Sequence, residues 1–274
     1  MKKPFWIYLA LALALGVTLV PIYWLVTISL KTVVEQFVVP PLWFHFQVTL
    51  EHYYDTFFLR PFGTYFWNSV LVAAVATALA LTLGVPAAYA LARLPMNRNW
   101  SRHLSFWILS TRMVPPIVTI LPLFLLLRNL GLLNTRLSLI LVYTGFNLPF
   151  VIWMMRGFFV EFPSEVEEAA WVDGSSRLRA LVDVVLPLVT PGLAATAIFC
   201  LIIAWNEFLF ALILTQTDAA MTLPVGIAGR VTQYEIKWGA MSAAGVVAML
   251  PIFLFALAVQ RYLVRGMSLG AVKG

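Results

Sequence analysis

Charge is scarce in this chain of 274 residues: 11% of positions are Asp, Glu, Lys or Arg, against 62% hydrophobic. Ordinary water-soluble domains carry about twice that charge, so a fold dispersed in water is excluded. Val70 to Ala92 offers only threonine and tyrosine as polar side chains, and lipid is the expected solvent. Cysteine is scarcer still. Cys200 stands alone in an apolar run, which rules out an intramolecular disulfide and reads as a small core hydrophobe. The three histidines, His45, His52 and His103, fall outside the apolar runs; His45 and His52 lack a third ligand nearby, and no metal site is expected.

Catalytic patterns are also missing. The chain has no His-Glu-x-x-His, no Gly-x-Gly-Asp and no Gly-x-Ser-Gly, which argues against an intramembrane enzyme, and no catalytic residue is assigned. It also lacks the Gly-x-x-x-x-Gly-Lys-Ser/Thr phosphate cradle, so ATP hydrolysis is not expected on this chain. The basic excess of +6 is scattered between apolar runs rather than gathered into a patch, so nucleic acid is not an expected partner.

What the chain does have is long apolar runs. Six are long enough to cross about 30 Å of hydrocarbon as helices: roughly 5–30, 65–92, 104–127, 137–160, 186–214 and 241–263. They lack the period-2 alternation of barrel strands, so an all-α membrane protein of six spans is expected, in a single domain over 1–274. Lys2 and Lys3 precede the first run, which is longer than a signal-peptide core and has no convincing small-x-small cleavage site; it reads as a retained span. Pro21, Pro86, Pro115, Pro116, Pro122, Pro149 and Pro251 fall within spans, as suits kinked helices around a cavity or kinks needed for packing alone.

Six spans put both termini on one side. With that side cytoplasmic, nine basic residues (Lys2, Lys3, Arg93, Arg98, Arg102, Arg177, Arg179, Arg265, Lys273) lie inside and six (Lys31, Arg60, Arg128, Arg136, Arg230, Lys237) outside. The basic residues therefore favour cytoplasmic termini. The two long external loops then run from about Lys31 to Thr64 and from about Thr215 to Ala240.

Between the fourth and fifth runs lies a charged interruption, Glu161 to Pro187, with eight charged residues. Pro163 blocks backward extension of a helix, and Ser164 with Glu167 three positions on fits a capping box. Glu165, Glu167 and Glu168 favour the positive end of the helix dipole. Gly174 suits a left-handed stop, and Ser175 or Ser176 can cap a second helix running to Pro187. Val166, Ala169 and Ala170 share a face. A helix of about nine residues is marginal alone, so this elbow reads as a docking element held by packing.

Glu168-Ala169-Ala170, three residues, Gly174, nine residues, Val184, one residue, Leu186-Pro187 is similar to the EAA loop of binding-protein-dependent ABC importer permeases, with Val184 where that family usually has isoleucine. Trp205-Asn206-Glu207-Phe208 and the tail from Gln260 to Gly274 resemble the carbohydrate subgroup, the maltose-transporter type of second permease. The resemblance implies an inner-membrane permease that pairs with a second permease, two copies of an ATPase subunit and an extracytoplasmic solute-binding protein. ATP and magnesium would sit on the ATPase, and no cofactor on this chain. Carried over, Glu168, Ala169, Ala170, Asp173 and Gly174 would make the ATPase contact, Leu186 and Pro187 would set the start of the fifth span, and the tail would also reach the ATPase. The loop between spans five and six would face the binding protein. The substrate implied is a sugar or polyol.

Four polar residues within the runs are candidates for the transport path or its gating: Arg112, Asn147, Asn206 and Glu207. An ionised carboxylate in lipid costs several kcal/mol unless paired or hydrated, so Glu207 should face the bundle interior, with Arg112 as one partner to consider. Asn206 could bond across helices, and structural glue serves as well as a gating role. Tyr143, Asn147 and Trp153 could bind sugar hydroxyls or ring faces. The rival reading is a secondary transporter or channel without a motor, which needs ion-coupling residues in the spans, and Glu207 and Arg112 give it thin support.

Overall fold

The computed structural model describes residues 5–94, 98–231 and 236–270. Among them regular structure is helical, apart from two isolated bridges, Lys31 with Val48 and Val231 with Ile236. Among the described residues four helices are long and apolar enough to cross a membrane unbroken: α1 (Phe5–Leu30), α3 (Phe62–Arg93), α6 (Arg136–Glu161) and α13 (Trp238–Gly270) over its stretch Trp238–Ala258. Between them come α2 (Glu51–Phe58), α4 (Arg98–Ser110), α5 (Pro116–Asn129), α7 (Ser164–Val172), α8 (Arg177–Ala180), α9 (Leu186–Leu188), α10 (Thr190–Trp205), α11 (Leu209–Leu214) and α12 (Leu223–Ala228).

The first, second, fourth and sixth expected spans appear as continuous helices. The third and fifth do not. Asn99–Met113 meets Pro116–Asn129 at 87°, because Pro115 and Pro116 hold Val114 and Pro115 extended (ψ 120° and 132°) and remove two amide donors. The run expected at 186–214 is cut twice. Arg177–Leu188 and Thr190–Trp205 are bent by 83° at Val189, ahead of Pro191. There Thr190 Oγ1 takes over the carbonyls of Leu186 (3.0 Å) and Pro187 (2.8 Å). A second break, Asn206–Phe208, separates α10 from α11.

The chain divides into two compact units. One comprises Met1–Phe66 and Leu223–Pro251. Its helix α1 buries only Thr27, Ile28 and Ser29, and a helix apolar on every side suits lipid or another chain. Beyond it the Lys31 ammonium lies 4.3 Å from the Trp24 ring centroid and 5.2 Å from that of Phe46, and the side chain is buried rather than displayed on the loop. His52 Nε2 is 2.8 Å from the Lys31 carbonyl, and a Cβ on Gly239 would come 2.2 Å from that nitrogen. Arg230 pairs with Asp55 at 3.2 Å.

The other unit comprises Trp67–Thr222 and Ile252–Gly274. Its core joins α3, α6, the π turn Leu181–Val185 and α10 through Ala80, Val85, Ala88, Val151, Met155, Phe159, Leu181, Val185 and Cys200. Small residues let the backbones approach: a Cβ on Gly84 would lie 2.6 Å from Val151, and one on Gly192 2.6 Å from the Phe158 ring. Such close packing supplies the helix–helix attraction that lipid, as apolar as leucine, does not.

A candidate coupling elbow and a polar break

The charged interruption folds as two short helical arms, α7 and 177–188, that meet at a turn, and the capping expected at its start is not the one found. Helix α7 starts at Ser164 behind Pro163, and no side chain caps its first turn. Glu167 does not reach back to form a capping box. Its carboxylate is fully buried, accepting from Tyr89 Oη at 2.8 Å and Arg93 Nε at 2.7 Å. Arg93 also donates through Nη2 to the carbonyl of Phe162, the residue that ends α6. Charge-assisted bonds are roughly twice as strong as neutral ones, and a guanidinium and a hydroxyl together outweigh one backbone amide.

Gly174 closes α7 at φ +86°, and Ser175 N donates back to Ala170 O at 2.9 Å, the six-residue return of a left-handed stop. Of the two serines considered as caps, Ser176 takes the role, accepting from Arg179 N at 3.3 Å. Arg177 lies over the Trp171 ring at 5.2 Å. The second arm, 177–188, is rooted in the core by Leu181 and Val185, with Leu186 half-buried and Pro187 exposed at its end. Glu168, Ala169, Asp173 and Gly174 are exposed and Ala170 half-buried. Val172 and Leu178, at 87% and 66% exposure, add apolar surface to the same elbow.

The four polar residues of the runs separate into different settings. Glu207 is bound by Tyr143 Oη at 2.6 Å and by the amides of Phe210 (2.8 Å) and Ala211 (3.2 Å). It therefore caps α11 instead of pairing with Arg112. Arg112 lies over the Phe150 ring at 5.2 Å, on the edge of a largely apolar groove of about 720 Å³ between α5 and α6. Asn206 is exposed and donates to Ile202 O of its own helix at 2.8 Å, so it does not bond across helices. Asn147 is buried, with Nδ2 3.4 Å from Cys200 O and Oδ1 unpartnered. Tyr143 is buried against Glu207 and Trp153 is 48% exposed.

Three contributors were not singled out in the sequence. Tyr89 and Arg93, four apart at the end of an alanine-rich run, share a helix face, and that spacing is the signal that marks them. Asn134, at φ +58°, accepts the amides of Gln216 and Thr217 at 3.0 Å each and so ties the loop before α6 to the end of α11. An asparagine just ahead of the cap Thr135 is suited to that left-handed turn.

Residues 80–269 match the family described as the binding-protein-dependent transport system inner membrane component. The chain belongs to this family. The permease is 39% identical over 96% of its length to the trehalose transport system permease protein SugB of Mycobacterium tuberculosis, covering 95% of that protein. It is 37% identical over 97% of its length to the sulfoquinovosyl glycerol transport system permease protein SmoH of Agrobacterium fabrum, covering 93%. To the trehalose/maltose transport system permease protein MalG of Thermococcus litoralis it is 34% identical over 94%, covering 92%. Its fold matches a chain from the crystal structure of a bacterial ABC transporter involved in the import of the acidic polysaccharide alginate. The TM-score there is 0.79 at 23% identity, over 95% of the permease and 99% of that chain. A second alginate transporter structure, in complex with an alginate-bound periplasmic protein, matches at TM-score 0.67 and 15% identity, over 92% of each chain.

Proposed function

We propose that this permease is one half of the membrane path of an ATP-driven importer for a sugar or polyol, and that its elbow receives the ATPase. The observation that carries the reading is the exposed small-residue face of α7, Glu168 and Ala169 with Ala170 and Gly174 at its edge, on an arm rooted in the core. Relatives named for trehalose, maltose and sulfoquinovosyl glycerol transport support a carbohydrate substrate. With each bent pair taken as one span, the helices number six, the termini and elbow lie in the cytoplasm, and the loop after α11 faces a solute-binding protein. A second, different permease completes the path, and the apolar sides of α1 suit that neighbour or lipid.

In operation, ATP binding closes the ATPase dimer, draws the elbows of the two permeases together and turns the cavity outward; hydrolysis resets it. The coupling is set by the difference in affinity that each ligand has for the two states. Arg112, Asn147, Asn206 and Glu207 belong to the path or its frame. ATP and magnesium reside on the ATPase, and this chain contributes no catalytic group.

The test is co-purification of the ATPase with Ala169→Trp, whose indole would fill the docking face. Loss of the ATPase with membrane insertion intact is expected; an ATPase that stays bound would overturn the reading. Uptake driven by an ion gradient in liposomes holding this chain alone would favour the motor-free alternative.

A further inference from the structure

The elbow is bound to the bundle by a buried ion pair, and the helix carrying its cation is anchored by a polar contact near its other end. Both carboxylate oxygens of Glu167 are used, Oε2 by Tyr89 and Oε1 by Arg93. Arg93 extends to Phe162 O, so one guanidinium gathers the end of α3, the end of α6 and the first turn of α7. Near the opposite end of α3, Asn68 Nδ2 donates to Ala219 O at 3.1 Å and Met221 O at 2.8 Å, holding the segment that follows α11. Between Asn68 and Arg93 lie 25 helical steps, about 38 Å at 1.5 Å per residue, more than the hydrocarbon thickness.

We propose that Glu167, Arg93 and Tyr89 form a latch that makes the coupling elbow and α3 one mechanical body, with α3 as the rod linking the ATPase to the outer segment Ala219–Met221. The proposal rests on the elbow being the ATPase dock, and it assigns the route by which the stroke leaves the elbow. Apolar contacts can slide when pushed. A buried carboxylate held by a guanidinium and a hydroxyl cannot part from them without leaving an uncompensated charge away from water. The load placed on the exposed face of α7 therefore passes to the side chain on its opposite face, and from there to α3. Glu167, Arg93 and Tyr89 are positioning residues: none needs to touch substrate or nucleotide.

The test uses the full complex of this permease with its partner permease, ATPase and binding protein in lipid nanodiscs. Two quantities are read: ATPase retained on purification, and the ratio of ATP hydrolysis with the binding protein to hydrolysis without it. Glu167→Gln should keep the ATPase bound and its unstimulated hydrolysis unchanged, while stimulation falls about tenfold, within the range usual for coupling between sites. Arg93→Glu should fail in the same way, and combining it with Glu167→Arg should restore part of the stimulation. Tyr89→Phe, which removes one hydroxyl and no charge, should lose about fivefold, at the lower end of the range usual for coupling between sites.

Wild-type stimulation in Glu167→Gln would overturn the latch. Should the charge variants fail to assemble, Tyr89→Phe decides, and full stimulation in it would also overturn the proposal. A double exchange no better than the single variants would reject the ion pair as the connecting element. The docking reading fails separately, through Ala169→Trp that still binds the ATPase.

Discussion

Tyr143 Oη donates to Glu207 Oε2 over 2.6 Å, tying the middle of α6 to the break between α10 and α11. The same carboxylate accepts the Phe210 and Ala211 amides, so it serves as the cap of α11 and as the partner of a buried hydroxyl. A hydrogen bond to a charged group is worth about 1.5–3 kcal/mol. Tyr143→Phe should therefore lower the thermal midpoint of the detergent-solubilised chain, followed by tryptophan fluorescence. Glu207→Ala should lower it further, since about 1 kcal/mol of capping is lost as well and the Tyr143 hydroxyl is stranded. Glu207→Gln should fall between the wild type and the alanine variant. Equal midpoints for Glu207→Ala and the wild type would remove the carboxylate from its structural role.

Gly174 should accept substitution according to backbone conformation alone. A Cβ there would meet nothing within 4 Å, but φ is +86°, and a left-handed conformation costs a non-glycine residue about 1–2 kcal/mol. Gly174→Ala should destabilise by that amount, and Gly174→Asn by less, because asparagine tolerates the left-handed region. A bulky residue here should uncouple transport from ATP hydrolysis while sparing membrane insertion. Equal stability of the alanine and asparagine variants would show that α7 does not end in this left-handed stop.

The legible part of the sequence was the part governed by local chemistry. Proline and glycine punctuation around Ser164–Gly174 depends on neighbours in the chain, and the structure places the helix, its stop and the Ser176 cap where that punctuation requires. Local pattern points Glu167 to a cap, but its partners, Tyr89 and Arg93, stand 78 and 74 positions away, beyond the reach of such a pattern. Glu207 illustrates the same limit. Its need for a partner followed from the cost of a charge in lipid, but that Tyr143 and two backbone amides would supply it depended on the break at Asn206–Phe208. Composition marks an apolar run as long enough to span without showing where proline-extended backbone bends it, as at Val114–Pro116 and Val189.

Gly192 offers a test of packing where Gly174 tests conformation. Its added Cβ would lie 2.6 Å from the Phe158 ring, where α10 packs against α6. Overpacking a close contact costs about 1–3 kcal/mol, so Gly192→Ala should lower the thermal midpoint and Gly192→Val should lower it more. Gly145→Ala, with nothing within 4 Å of the added carbon, is the control and should change little. A neutral Gly192→Ala would mean that Phe158 swings aside freely and that this contact does not set the approach of the two helices.

Glu35 makes the loop between α1 and α2 sensitive to acid. The Gln47 amide, 2.9 Å from Oε1, is the main cause of a carboxyl held below its ordinary value of 4.5; burial opposes it, and the Thr32 hydroxyl and amide and the Lys31 charge assist. In the folded loop the group binds its proton less tightly than in the unfolded chain. Its stabilising contribution is therefore complete above the unfolded value and is lost as pH falls through the depressed folded one. At neutral pH the amides of residues 31–50 should exchange more slowly in the wild type than in Glu35→Gln, when hydrogen exchange is compared at matched pH. That difference should close as the solution is acidified past the folded pKa. Burial holds the Lys31 ammonium below its usual range and Glu35 partly restores it, so Glu35→Gln should push the Lys31 pKa down further. A protection difference that persists unchanged in acid would show that the carboxylate charge is not what holds Gln47 and Thr32 to this loop.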